Sequence, residues 1–140
     1  MLGTVGVTLT FLITATFLAP FSTYPFYAFY QNSNLFFHLI VPVLSIVSFV
    51  VFESTNKIKF RHTLIAISSM LIYAIIYTIN ALTHIENGKV SLKYDWYGFL
   101  RNGANSIIYV IPVMLLITYA ISLGLWKSNK RLYERRNKNE

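Results

Sequence analysis

Four long apolar stretches, which contain no Asp, Glu, Lys or Arg, restrict this chain more than any other feature. They cover residues 2–19, 35–52, 63–82 and 107–126. A helix rises 1.5 Å per residue, so about 20 mostly apolar residues cross a hydrocarbon core about 30 Å thick. Only 12% of the 140 residues are charged, against about 25% in ordinary soluble domains. The pattern predicts an all-α, polytopic integral membrane protein, with four transmembrane helices in a bundle over residues 1–126.

The basic residues predict how this bundle is oriented. Lys and Arg concentrate in the short cytoplasmic loops of membrane proteins. Nine of the 12 Lys and Arg residues lie in the second loop or after residue 126, and a chain of four helices places these two regions on one side of the membrane. We therefore expect both termini in the cytoplasm, with residues 127–140 as the basic cytoplasmic tail of a cell-membrane protein. The nine are Lys57, Lys59, Arg61, Lys127, Lys130, Arg131, Arg135, Arg136 and Lys138.

The net charge of +7 would suggest a nucleic-acid partner in a soluble protein. Here the orientation rule accounts for the charge, so no nucleic-acid partner is expected. Membrane lipids are the expected partners, and a second copy of the chain or another membrane protein is a further alternative. The tail follows Trp126 directly, which indicates either a contact with anionic lipids or a solvated end that only sets orientation. The candidates for lipid contact are Lys127, Lys130, Arg131, Arg135 and Arg136.

Polar residues recur at helical spacing inside the apolar stretches. Five of them in and just after the third stretch follow one another at intervals of three or four residues, which places them on one helical face. They are Ser69, Tyr73, Tyr77, Asn80 and His84. Such a face avoids lipid, and its hydrogen bonds alone could hold the helices together. The functional alternative is a polar pocket. Its lining candidates are Tyr73, Tyr77, Asn80 and, from the fourth stretch, Tyr109.

His38, His84 and Asp95 are the candidate catalytic residues. The outer ends of the second and third helices meet the third loop, so the three side chains could share the pocket. A carboxylate beside a histidine fixes its tautomer and stabilises the imidazolium, which suits general-base work. His38 is the candidate base and the other two are candidate helpers. Two histidines and an acid could also ligate a metal, but no metal-binding spacing is present, so we expect no metal and no cofactor.

The run from Asn34 to Pro42, Asn-Leu-Phe-Phe-His-Leu-Ile-Val-Pro, resembles a segment of the androgen-induced membrane-protein family and its bacterial relatives. In that family a helix carries a His and, one turn later, a Pro. Two further motifs are similar to the bacterial members, namely Leu-Ala-Pro at residues 18–20 and Tyr-Asp-Trp-Tyr-Gly-Phe at residues 94–99. The resemblance covers most of the chain, which matches the family from its third helix onward.

The resemblance implies a membrane hydrolase of fatty-acid esters of hydroxy fatty acids, which uses a Thr nucleophile and a His. His38 matches that His, whereas the family's nucleophile lies on a helix before the matching part, so no Thr of this chain takes that role by resemblance. We therefore expect a small lipid- or partner-binding membrane protein with a polar cluster at its outer end. The alternatives are a lipid-ester hydrolase with His38 as base, and a subunit of an oligomeric transporter.

Overall fold

The computed structural model describes residues 1–138 except 23, 56, 87, 88, 92, 96, 101 and 102. Most of this part of the chain is helical, which confirms the predicted all-α class. It contains four helices that are long and apolar enough to cross a membrane. They are α1 (Leu2–Phe21), α2 (Ser33–Phe52), α3 (Arg61–Leu82) and α4 (Ala104–Asn137).

Short elements connect these helices. A 3₁₀ helix, Phe26–Tyr30, lies between α1 and α2. Strands β1 (Ile85–Glu86) and β2 (Lys89–Val90) pair antiparallel between α3 and α4. The first turn of α4, Ala104–Ser106, is also 3₁₀.

Three segments within α1 and α2 are π-helical rather than α-helical. One is Thr14–Leu18 in α1, and the other two, Phe36–Ile40 and Ser48–Phe52, lie in α2. In a π-helix the hydrogen bonds join residues five apart, and such segments occur frequently at functional sites. Thr14 and His38, two residues that line the cavity described below, lie in such segments.

The four helices contact one another, with the most extensive packing between α3 and α4. Each helix gives one buried residue to a core cluster of Val5, Phe49, Ala66 and Leu125. This cluster marks the end of the molecule that carries the basic residues, which we call the basic end. At the opposite end, Tyr77 and Leu100 join α3 to the α3–α4 loop. That end also carries the α1–α2 connection with its aromatic residues, and we call it the aromatic end.

The apolar stretch ends at residue 126, but α4 continues without a break to Asn137. Side chains on one side of this continuation form hydrogen bonds with the backbone of the α2–α3 loop and of the end of α2. Trp126 Nε1 donates to the carbonyl of Ile58 at 2.9 Å. Asn129, which is 0% exposed, donates from Nδ2 to the carbonyl of Phe49 at 2.6 Å and to that of Glu53 at 3.2 Å. Its Oδ1 accepts from the backbone N–H of Thr55 at 3.1 Å.

Asn129 therefore satisfies carbonyls at the end of α2, which a helix C-terminus otherwise leaves without a partner. The residues predicted as a basic tail are, up to 137, a continuation of α4 whose buried side is structural.

Candidate functional site

A cavity of about 340 Å³ lies between α1, α3 and α4. Helix α2 contributes only His38 to its lining, and the α3–α4 loop contributes Tyr97 and Phe99. Most of the lining is apolar, including Leu9, Met70 and Met114. The cavity thus has a mainly apolar interior, and its lining at the aromatic end includes His38, Tyr97 and Phe99.

Thr14 provides an unusual polar group in this lining. Its side chain is 0% exposed, and its hydroxyl has no hydrogen-bond partner within the described part of the chain. Two other buried threonines bond back to a carbonyl four residues earlier, namely Thr8 at 2.6 Å and Thr118 at 2.7 Å. A buried hydroxyl without a partner costs about 1–3 kcal/mol. Thr14 is therefore a residue of the cavity wall whose hydroxyl lacks a partner among the described residues.

Tyrosines line the cavity toward the aromatic end. The Tyr73 hydroxyl is buried beside Tyr97 without a hydrogen bond of regular geometry to any described residue. The rings of Tyr73 and Tyr97 meet edge to face, with 6.2 Å between their centres, and Tyr97 stacks on Phe99 at 5.3 Å. Phe99 also packs against Phe17 of α1, with centres 5.1 Å apart. The α3–α4 loop is therefore packed over the cavity by aromatic contacts to both α1 and α3.

The orientation of His38 is set by the α1–α2 connection. Its Nδ1 lies 3.0 Å from the carbonyl oxygen of Phe29. Because a carbonyl oxygen only accepts hydrogen bonds, Nδ1 carries the hydrogen, and the neutral ring then presents Nε2 as an acceptor. A fixed ring with a basic Nε2 is the arrangement that a general base requires.

Asp95 holds the α3–α4 loop to α3. It is 4% exposed, and its carboxylate accepts hydrogen bonds from the Tyr77 hydroxyl and, at 3.0 Å, from the backbone N–H of Leu100. Tyr77 lines the cavity directly, and Asp95 lies behind it. Asp95 thus positions the aromatic residues of the loop rather than reaching the cavity.

The structure separates the predicted catalytic residues. His84 Nδ1 contacts the backbone carbonyl of Asn80 at 2.8 Å, and its ring stacks on Tyr94 with centres 3.6 Å apart. Neither His38 nor His84 bonds Asp95, whose partners among the described residues are Tyr77 and Leu100.

The predicted lining residues also divide into two groups. Tyr73 and Tyr77 line the cavity, whereas Asn80 is absent from its lining and holds a buried Nδ2 without a partner in the described part of the chain. Tyr109 is 75% exposed and points away from the cavity, because the lining face of α4 carries Val110, Met114 and Thr118.

The predicted lipid-contact residues Lys127, Lys130, Arg131, Arg135 and Arg136 are all exposed. Lys130 Nζ lies 3.8 Å from a carboxylate oxygen of Glu134 and 5.5 Å from the centre of the Trp126 ring. Arg136 donates to the Ser54 hydroxyl at 3.0 Å. Within the described ranges, no three His, Asp or Glu side chains are grouped so that they could hold a metal ion.

Comparison of the chain with protein-family models, with curated proteins and with solved structures found no match. The resemblance to the androgen-induced family therefore stays a prediction.

Sequence reasoning missed Thr14, Tyr97 and Asn129. A signal for Asn129 was present, because Thr118, Ser122, Leu125 and Asn129 follow one another at intervals of four, three and four, and all four are buried. The interval marks one helical face that continues past residue 126. For Thr14 the sequence offered five threonines in one helix and no means to single out the one without a partner.

Proposed function

We propose that this chain is an integral membrane protein that binds a single-chain amphiphile, such as a fatty acid, between the helices of a four-helix transmembrane bundle. The observation that carries the proposal is the buried, partnerless hydroxyl of Thr14 in the wall of a mainly apolar cavity. A polar group without a partner in such a place is expensive unless a ligand supplies the partner.

The shape of the cavity supports one chain rather than two. On α1 its lining extends from Gly6 to Leu18, which corresponds to about 18 Å along a helix. A volume of about 340 Å³ lies at the small end of the range of ligand sites, roughly 300–1,000 Å³. The polar groups of His38, Tyr73 and Tyr97 gather at the aromatic end. A polar head at the aromatic end and a hydrocarbon chain toward the basic end match this distribution of polar groups.

Photolabelling in membranes tests the proposal. A fatty acid with a diazirine in its chain, incorporated into vesicles with the full-length protein, is expected to label Met70 and Met114 of the cavity and to be displaced by unlabelled fatty acid. Thr14→Val should weaken this labelling about tenfold, because one hydrogen bond of about 1.4 kcal/mol is lost. The same change should leave thermal stability equal or higher, since it removes an unsatisfied buried hydroxyl.

Thr16→Val is the matched control. Thr16 lies on the same helix, is exposed, and bonds the carbonyl of Leu12 at 2.7 Å, so its substitution should leave the labelling unchanged. Labelling spread evenly over outward residues such as Ile72 and Ile76, without enrichment at the two methionines, would contradict a bound ligand.

The orientation proposed with this function places the basic end in the cytoplasm, because nine of twelve Lys and Arg residues lie there. Ser128 and Gln31 are exposed at opposite ends of the molecule. In intact cells, Gln31→Cys should react with a membrane-impermeant thiol reagent and Ser128→Cys should react only after lysis. Reaction of Ser128→Cys from outside would reverse the orientation. The fully buried Asn129 is unsuitable for this measurement.

Ester hydrolysis is the second candidate function, and the orientation of His38 favours it. Its Nδ1 is held by the Phe29 carbonyl, and Thr14 also lines the cavity that His38 lines. If this function holds, purified protein should release hydroxy fatty acid from a fatty-acid ester of a hydroxy fatty acid, and His38→Gln should abolish the release. Photolabelling without turnover by the unaltered protein would exclude hydrolysis and leave the binding proposal intact.

A further inference from the structure

The α2–α3 loop and the continuation of α4 meet around Trp126 at the basic end. The indole Nε1 donates to the Ile58 carbonyl at 2.9 Å, and the Phe60 ring meets the Trp126 ring edge-on, with centres 5.7 Å apart. These contacts bring two groups of basic residues together that are far apart in the sequence. All five are exposed, and we call them the basic collar: Lys57, Lys59, Arg61, Lys127 and Lys130.

Little negative charge opposes the collar. Among the described residues, the acids of this end are Glu53 and Glu134. The Glu53 carboxylate accepts a hydrogen bond from the Ser48 hydroxyl at 2.8 Å, and Glu134 pairs with Lys130. Most of the collar's charge is therefore free to attract an anion.

The continuous helix also carries three of the four remaining basic residues away from the collar. At 1.5 Å per residue, Arg135 lies about 14 Å beyond Trp126 along α4 and Lys138 about 18 Å beyond it. Trp side chains prefer the level of the lipid headgroups. The collar shares that level with Trp126, whereas Arg135, Arg136 and Lys138 extend away from it.

We propose that the basic collar binds the phosphate of anionic lipid headgroups, with Trp126 and Phe60 as its anchors at the bilayer interface. Lys and Arg near an anionic surface each add attraction that decays within a Debye length. The distal three residues, one to two Debye lengths further out, contribute less. This surface is separate from the cavity, and the inference does not depend on the cavity ligand.

Quenching of Trp126 fluorescence tests the proposal. Trp96→Phe leaves Trp126 as the sole tryptophan of the full-length chain, and the protein is placed in vesicles that contain brominated phosphatidylglycerol or brominated phosphatidylcholine. The anionic lipid should quench more strongly. Changing Lys57, Lys59 and Lys127 together to Gln should lower the preference for phosphatidylglycerol by up to about a hundredfold, toward equal binding.

The matched control changes Arg135, Arg136 and Lys138 together to Gln. It removes the same charge and should leave most of the preference intact. Equal loss in the two triple variants would show that net charge acts without a site and would overturn the proposal. Full retention of the preference in the collar variant would also overturn it. Displacement of the lipid by inorganic phosphate at constant ionic strength would overturn it as well, because it would indicate a site for soluble anions.

Discussion

Asn129→Asp is expected to lower the free energy of unfolding by about 3 kcal/mol or more. The substitution removes the Nδ2 donor that bonds the carbonyls of Phe49 and Glu53 and places a carboxylate against both oxygens. Each buried polar group left without a partner costs about 1–3 kcal/mol, and a buried charge costs more. Because Asn129 also holds the backbone of Thr55, the end of α2 and the loop after it should loosen together.

Ser128→Asp provides the control for this prediction. It introduces the same charge one residue earlier, at an exposed position of the same helix. Thermal unfolding of both variants in detergent would measure the difference. The assigned role of Asn129 fails if the two variants unfold at the same temperature.

Loss of the pair between Tyr77 and Asp95 should open the α3–α4 loop. Asp95→Leu removes the acceptor for the Tyr77 hydroxyl and the Leu100 N–H, and we expect it to destabilise the protein by about 2–3 kcal/mol. Hydrogen exchange of the backbone amides in residues 94–100 should accelerate, because the loop is held at this point. The unreacted diazirine fatty acid should also dissociate from the cavity faster, since Tyr97 and Phe99 of this loop line the cavity.

A double-mutant cycle isolates the pair from other contacts of Tyr77. Tyr77→Phe, Asp95→Leu and the combination should give a coupling energy of about 1–3 kcal/mol. Tyr109→Phe is the matched control, because that phenol is exposed and lies outside the cavity. A coupling energy near zero would mean that the hydrogen bond between Tyr77 and Asp95 does not hold the loop.

The sequence predicted the helices well because apolar length is a local property. The stretch 63–82 lies within α3, Arg61–Leu82, and the stretch 2–19 lies within α1, Leu2–Phe21. The end of α4 was not predictable in this way. Hydropathy marks where a helix would leave the membrane, whereas the helix itself continues to Asn137. Hydrogen bonds from Trp126 and Asn129 join this continuation to the α2–α3 loop, and such partners are seen only in the tertiary structure.

The candidate site was harder to predict, because the hydrogen-bond partners of its side chains depend on the path of the loops. Helical spacing placed Tyr73 and Tyr77 on one face, and both line the cavity. The same reasoning chose Tyr109, which is five residues before Met114 and therefore about 140° from it around α4. Asp95 bonds Tyr77 across 18 residues. The spacing of residues in the sequence did not indicate that Asp95 would pair with Tyr77 rather than with His38 or His84.

The π-helical segment of α1 changes which of its side chains face the cavity. Gly6, Leu9, Thr10, Ile13 and Thr14 line the cavity at ordinary α-helical intervals, and the next residue on that face would be Phe17. The cavity is lined by Leu18 instead, while Phe17 is partly turned outward. Thr14–Leu18 thus acts as an insertion of one residue that rotates everything after it by about 100°. A deletion of one residue there would restore a regular α-helix and keep Leu18 on the face that lines the cavity.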